Sequence, residues 1–232
     1  MMRHLAKLRF LALLAGLVLA SACTAQSDGS GTAAGNAPAP YTEGEQYVKL
    51  PAPYQRYSSD GKVEVAEVFS YGCIHCAEFA PIAEKLKQQL PKGVVFKLVP
   101  APFSAQWLPF ARAYYAANQL GVADRTHLQL FVAKFTQHYP LNTLDELADF
   151  YAREGVDRAK FMSIATSDAA TTKLKADLAL IQAWGVDGTP SIVVDGKYRV
   201  ANVHTLDEMS AVAQWLAKRE LAAADKGGTG GK

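Results

Sequence analysis

Cysteine is scarce in this 232-residue chain: three residues, too few for the disulfide framework that holds a small secreted domain together. Long apolar runs are missing as well. None reaches the ~20 residues that cross a bilayer as a helix, which excludes a polytopic membrane protein. A large excess of either charge is also lacking, since the formal net charge is +2 at pH 7. Hydrophobic residues make up 50% of the chain and charged ones 20%, which excludes a disordered polyelectrolyte. The small positive excess belongs to the start, where residues 1–22 carry Arg3, Lys7 and Arg9 and no acid. The remainder is near neutral and has no general electrostatic drive toward nucleic acid. No internal repeat is visible, and the length suits one or two domains.

What is present begins with an address. After the basic start, Phe10 to Ala20 is an apolar run of eleven residues, followed by the small residues Ala20-Ser21-Ala22. This is the tripartite pattern of an export signal over residues 1–22, and it implies work outside the cytoplasm, where thiols can stay oxidised. Cys23 follows directly. The stretch Leu19-Ala20-Ser21-Ala22-Cys23 resembles a bacterial lipobox, with Ala20 where leucine is commonest, so Cys23 is a candidate lipid-attachment site. The membrane would then be met only through that lipid. Residues 23–45 read as a flexible linker, because Thr24 to Pro40 is rich in Ala, Gly, Ser and Pro and has no apolar periodicity. Residues 223–232, with four glycines, read as a flexible tail.

Between them the pattern alternates. Gln46–Leu50 suits a short strand. Val63–Phe69 is apolar apart from Glu64 and Glu67, as in a buried parallel strand, and Val94–Val99 reads the same way. Ile74–Leu90 between them reads as a helix containing Pro81, which makes a right-handed βαβ unit. Helical segments follow over Gln106–Leu120, Arg125–Thr136, Thr143–Glu154, Asp157–Ala165 and Ser167–Trp184, with caps at Thr143, Asp157 and Ser167. Asp195-Gly196 between two apolar runs predicts a hairpin with a type I′ turn. Thr205-Leu206-Asp207-Glu208 is a capping box that opens a last helix. The sum is an α/β domain split by about 65 helical residues.

Cys73-Ile74-His75-Cys76 sits where the first buried strand gives way to its helix. Two buried cysteines, half of a zinc site and a redox-active dithiol are the three readings of such a pair. Zinc usually needs four Cys or His ligands, and there is no second C-x-x-C, while His127, His138 and His204 show no ligand spacing. These three histidines read as solvated or structural. The dithiol reading has a physical basis. A helix N-terminus offers free N–H groups and favours an anion at Cys73, and the thiolate is the species that attacks a disulfide. Cys76 lies one turn on, and His75 adds a positive or hydrogen-bonding group beside the same sulfur. Stabilising the thiolate stabilises the reduced pair, so such a pair tends to give its disulfide away.

At this point the chain resembles the thioredoxin superfamily and, within it, the DsbA-type periplasmic thiol:disulfide interchange proteins. The resemblance rests on Glu67-Val68-Phe69-Ser70-Tyr71-Gly72-Cys73-Ile74-His75-Cys76, on Gly188-Thr189-Pro190 before a hairpin, and on Pro81 five residues after Cys76. It implies an α/β thioredoxin fold over 46–103 and 168–222 with an inserted helical domain over 104–167. It also implies a disulfide oxidase of the Gram-negative periplasm that needs no cofactor beyond the Cys73–Cys76 disulfide. Its clients would be folding exported proteins with free cysteines, and a quinone-linked membrane partner of the DsbB type would re-oxidise it. The chain departs from the family in having Ile74 where proline is usual, which bears on redox poise. It has nothing like the dimerisation domain of the isomerase relatives, so a monomer is expected. By the same resemblance Pro190 follows a cis bond, packs beside Cys73, and leaves the Thr189 backbone free for an extended client. Glu67 and Lys97, in strands expected to be neighbours, are expected to pair below Cys76 and to pass its proton. Trp107, Phe110, Tyr114 and Tyr115 read as core, with a role in lining a client groove as the alternative. A reductase or isomerase kept reduced, and a lipid-anchored chaperone-like module without thiol chemistry, are the competing functions.

Overall fold

The structure, a computed structural model, describes residues 39–228. The export signal, Cys23 and the linker up to residue 38 lie outside them. The linker ends before residue 45, the limit expected for it. Tyr41 packs edge-on against Trp215, and Gly44 N–H donates to Tyr47 O at 2.8 Å, so the chain is in place before residue 46.

Five strands, β1 (Tyr47–Lys49), β2 (Val63–Phe69), β3 (Val94–Pro100), β4 (Ser191–Val194) and β5 (Tyr198–Val200), form one mixed sheet in the order β1-β5-β4-β2-β3. β2 is buried along its whole length, runs parallel to β3 and antiparallel to β4. The β-branched Val63, Val65 and Val68 suit such a strand, because helices cover both faces. Between β2 and β3 runs α1 (Ile74–Gln89), with Pro81 inside it. The α/β expectation and the βαβ unit are both met.

Alternation along β2 sends its two carboxylates to opposite faces. Glu64 faces a strap, residues 51–62, that has no strand or helix. Its carboxylate accepts from the Tyr57 and Ser58 N–H groups at 2.8 Å each and from the Ser58 hydroxyl. Trp184 Nε1 donates to Gln55 O of the same strap at 2.8 Å. The hairpin turn closes over it as well. Asp195 and Gly196 both have positive φ, as a type I′ turn requires. A Cβ on Gly196 would fall 2.2 Å from Gln55 O, so glycine is required there twice over.

The helical part comprises α2 (Leu108–Gln119), α3 (Ala123–Phe131), a π-helical turn (Val132–Thr136), α4 (Leu144–Arg153) and α5 (Arg158–Ala165), then α6 (Asp168–Ala183). The sequence reads residues 125–136 as one helix, whereas the structure changes pitch at Val132. Thr143 and Glu146 make the reciprocal capping box of α4, and Asp157 and Ser167 cap α5 and α6. This helical part does not close on its own core. Phe69, Tyr71, Cys73 and Cys76 belong to the same buried cluster as Phe110, Leu130, Leu147 and Tyr151. At the seam, His127 sits 5.2 Å from the Phe69 ring and 5.4 Å from Tyr71, and its Nδ1 hydrogen-bonds the Tyr71 hydroxyl at 3.0 Å.

The last helix, α7 (Leu206–Gly228), runs past Ala222, so residues up to Gly228 are helical where the sequence suggests a loose tail. Its start is capped at one remove: Thr205 Oγ1 accepts from Glu208 N–H, but the Glu208 carboxylate reaches His204 N–H. Arg219 of α7 lies over the rings of Tyr47, Tyr198 and Trp215 at 4.4–5.2 Å and donates to the Tyr47 hydroxyl. This clasp fixes the edge strand β1 to α7.

The seam histidine makes a stability prediction. Burial first, and Lys87 second, push His127 down to about 4. Between pH 6.5 and 4 the unfolded chain therefore takes a proton that the folded chain refuses. Stability is complete above pH 6.5 and is lost as the pH falls toward 4, by up to about 3 kcal/mol. His127→Phe keeps a ring in place without the titration. Urea unfolding of both proteins across this window should show their difference changing by that amount; a difference independent of pH would contradict it.

Candidate active site

The turn that carries Cys73 is built from its neighbours upward. Beyond β2, Cys73 N–H closes a turn on Ser70 O at 3.0 Å, and Gly72 N–H donates to Ser70 Oγ at 3.1 Å. Gly72 is pressed by Trp107: a Cβ there would fall 2.7 Å from the indole Nε1. Cys73 is thereby set as the N-cap residue of α1, with extended backbone angles. Cys76, one turn on, is fully buried, while Cys73 is 8% exposed. Both are free thiols in this structure.

As a thiol, Cys73 makes no capping hydrogen bond; its S–H donates to Thr189 O at 3.3 Å. Ionised, it can no longer donate and needs donors instead. The Cys76 thiol is the main one, followed by the Thr189 side chain and then the backbone N–H groups of Cys76 and His75, and together they outweigh burial and bring Cys73 down to about 5. An N-cap acceptor normally takes the second and third helical N–H groups, which here are His75 and Cys76. Thr189 Oγ1 is buried and has no hydrogen-bond partner among the described residues, so its hydroxyl is available to the sulfur. Cys76 is raised, by burial first, by its hydrogen bond to Cys73 second and by Glu67 third.

The expected site residues divide. Cys73, Cys76 and Thr189 converge, and the Thr189–Pro190 bond is cis as the resemblance implies. Ile74 is 46% exposed beside the nucleophile, an apolar surface at the helix tip. Glu67 is buried on the α1 face of β2, its Oε2 has no hydrogen-bond partner among the described residues, and burial first and Cys73 second push it up to about 8. Two expectations are corrected. His75 contributes its backbone N–H, but its imidazole turns outward to Glu78 at 2.9 Å, which raises its pKa more than Cys73 does. Lys97 does not reach Glu67. In the parallel register Lys97 pairs with Ala66 and Glu67 with Leu98, a one-residue offset that puts the two side chains on opposite faces, and Lys97 meets Asp60 at 3.4 Å instead.

The Tyr71–His127 pair is invisible in the sequence because 56 positions separate its members and His127 carries no motif. Of the aromatics, Phe110 and Tyr114 are core, while Trp107 is half-buried against Gly72. Among the described residues no group of three or more His, Cys, Asp or Glu side chains is placed to hold a metal ion.

The family model of the DSBA-like thioredoxin domain matches residues 64–217. A thiol:disulfide interchange protein DsbA of Pseudomonas aeruginosa is 37% identical over 188 residues, covering 80% of this chain and 89% of that protein. One from Burkholderia cepacia is 35% identical, covering 75% and 84%. Among solved structures, the oxidoreductase DsbA from Xylella fastidiosa superposes with a TM-score of 0.74 at 37% identity, covering 78% of this chain and 98% of that one. Pseudomonas aeruginosa DsbA superposes with a TM-score of 0.73 at 36% identity, covering 80% and 97%.

The Thr189 hydroxyl gives the test of this geometry. Thr189→Val removes a neutral donor to the Cys73 thiolate, worth about 1 kcal/mol, so thiolate absorbance should titrate roughly 0.7 pH units higher. Thr189→Ser should keep the original midpoint. An unmoved midpoint in the valine variant would show that the hydroxyl does not serve the sulfur.

Proposed function

This chain belongs to the family of DSBA-like thioredoxin domains and is a thiol:disulfide oxidoreductase, and from that premise we propose that it acts as a disulfide donor. The observation that carries the reading is the opposite environment of its two sulfurs, Cys73 brought down and Cys76 pushed up. A client thiolate attacks Cys73 Sγ of the disulfide form. A client–Cys73 bond forms, the Cys73–Cys76 bond breaks, and Cys76 leaves with the electron pair and takes a proton. A second client thiolate then attacks the client sulfur of the mixed disulfide and expels Cys73 as a thiolate. The client loses two electrons and the pair gains them. At pH 7 a thiol of pKa about 5 in place of about 9 stabilises the reduced form by about 3 kcal/mol, or roughly 60 mV toward the oxidising side.

Glu67 fits the role of proton donor to Cys76. It stays largely protonated at neutral pH, acts on Cys76 and Cys73 electrostatically, and faces a cavity of about 380 Å³ that Lys87, Asp124 and Arg125 also line. That cavity is the route by which the proton is replaced. Thr189 and Pro190 would seat an extended client chain by main-chain pairing, as in strand addition, with Ile74 as an apolar contact.

In this reading the working group is the Cys73–Cys76 disulfide alone, and the clients are exported proteins with free cysteines. The export signal directs the chain to the periplasm of a Gram-negative bacterium, where it acts as a monomer. Cys23 would carry a lipid, and a quinone-linked membrane enzyme of the DsbB type would restore the disulfide. No helix among the described residues is long and apolar enough to cross a membrane. The reductase alternative is disfavoured by a reduced state that is already stabilised, and the chaperone alternative by relatives that are interchange proteins.

Two experiments test this. The dithiol form should melt above the disulfide form in calorimetry, and Cys73→Ser should abolish peptide dithiol oxidation; a disulfide form that melts higher would reverse the donor assignment. Glu67→Gln should slow client oxidation on the order of tenfold or more and erase an inflection near pH 8 in the rate profile. An inflection that persists would assign the proton to another group.

A further inference from the structure

A second feature opens at the nucleophile's own turn. Gly72, the residue before Cys73, lines a cavity of about 450 Å³ with Gln106, Trp107, Phe110, Lys134 and Asn142. Lys134 is delivered there by the π-helical turn Val132–Thr136. A π turn adds a residue to the helical repeat and re-aims the side chains around it, and such turns recur at functional sites. The Lys134 ammonium donates to Leu141 O at 3.2 Å and to Asn142 Oδ1 at 3.0 Å, and lies 4.8 Å from the Phe110 ring centre. Both acceptors are neutral. The acid that acts on Lys134, Glu146, has its Oε2 engaged by the N–H groups of Asn142 and Thr143 and by the Thr143 hydroxyl. Burial lowers the Lys134 pKa more than Glu146 raises it, so the cation is under-compensated. The Trp107 indole N–H, against Gly72, donates to no protein group among the described residues.

One charged donor, one neutral donor and an aromatic wall thus face a cavity one residue from the reacting sulfur. The complement of that set is an oxyanion. An apolar occupant would leave the indole N–H and the third ammonium N–H unmet, and a cation would be repelled.

We propose that this cavity is a client-recognition subsite that takes the carboxylate of an aspartate or glutamate lying within about three residues of the client cysteine. It rests on the disulfide-donor reading, because a mixed disulfide at Cys73 is what brings the flanking client residues to Gly72. Lys134 positions the client and takes no part in the exchange of electrons or protons at the sulfurs.

The test uses capped peptide dithiols with Glu, Gln or Lys placed in turn at each of about three positions on either side of one cysteine, oxidised by the disulfide form of the full protein. At one or more positions the second-order rate constant should be about tenfold higher for Glu than for Lys, with Gln between, and the ratio should shrink in roughly 0.5 M salt. Lys134→Met should bring the ratio to about one, and Lys134→Arg should keep it. Oxidation of dithiothreitol by the wild-type protein, which has no flanking residues, is measured alongside. If dithiothreitol is not oxidised, the donor reading itself fails. If it is oxidised while Glu and Lys peptides react alike at every position, or if Lys134→Met keeps the preference, the subsite is overturned.

Discussion

Two sulfurs one helical turn apart sit in opposite electrostatic surroundings, and the rest of the site depends on how the backbone arranges this. Cys73 occupies the N-cap, where α1 leaves its first amides unpaired, and meets a hydroxyl, a second thiol and two N–H groups when it ionises. Cys76, already inside the helix, has none of those amides and is sealed in the core. The leaving tendencies of the two sulfurs therefore differ without any cofactor. Whichever bond forms at Cys73 is the one that breaks easily, since the better leaving group is the thiolate of lower pKa.

The sheet supplies the second half of the arrangement by sorting charge. Glu64 and Glu67 lie three residues apart on one buried strand, and strand alternation gives them unrelated jobs. Glu64 is satisfied by three donors from the strap and holds structure. Glu67 has an Oε2 without a donor among the described residues, and burial first and Cys73 second push its carboxyl up to about 8. A one-residue slip of β2 would exchange these environments, so the register of a central strand is as much a part of the site as the cysteines are.

Much of this is legible in the sequence, and the failures have physical causes. The strand-to-helix placement of Cys73, the hairpin at Asp195-Gly196 and the caps at Thr143, Asp157 and Ser167 are local signals, readable because turn and cap chemistry depends on a few adjacent residues. The place of Lys97 is not readable, because its register is set by pairing with a strand distant in the sequence and not by anything local to β3. The His75 imidazole escapes its expected role because Glu78, three residues on, competes for it, and an exposed ion pair on one helix face forms more readily than a contact back over the cap. The change of pitch at Val132 and the His127–Tyr71 contact arise only when the helices close over Phe69, and composition carries no trace of that.

The Arg219 clasp has a mechanical consequence. The described residues begin at the sheet edge, with Tyr41 and β1, where Trp215, Tyr198 and Tyr47 are gathered around one guanidinium. β5 and β4 stand between that edge and β2, the strand that leads to Cys73. A load applied at Tyr41 thus meets an aromatic knot two strands removed from the chemistry before it can be felt at the sulfurs.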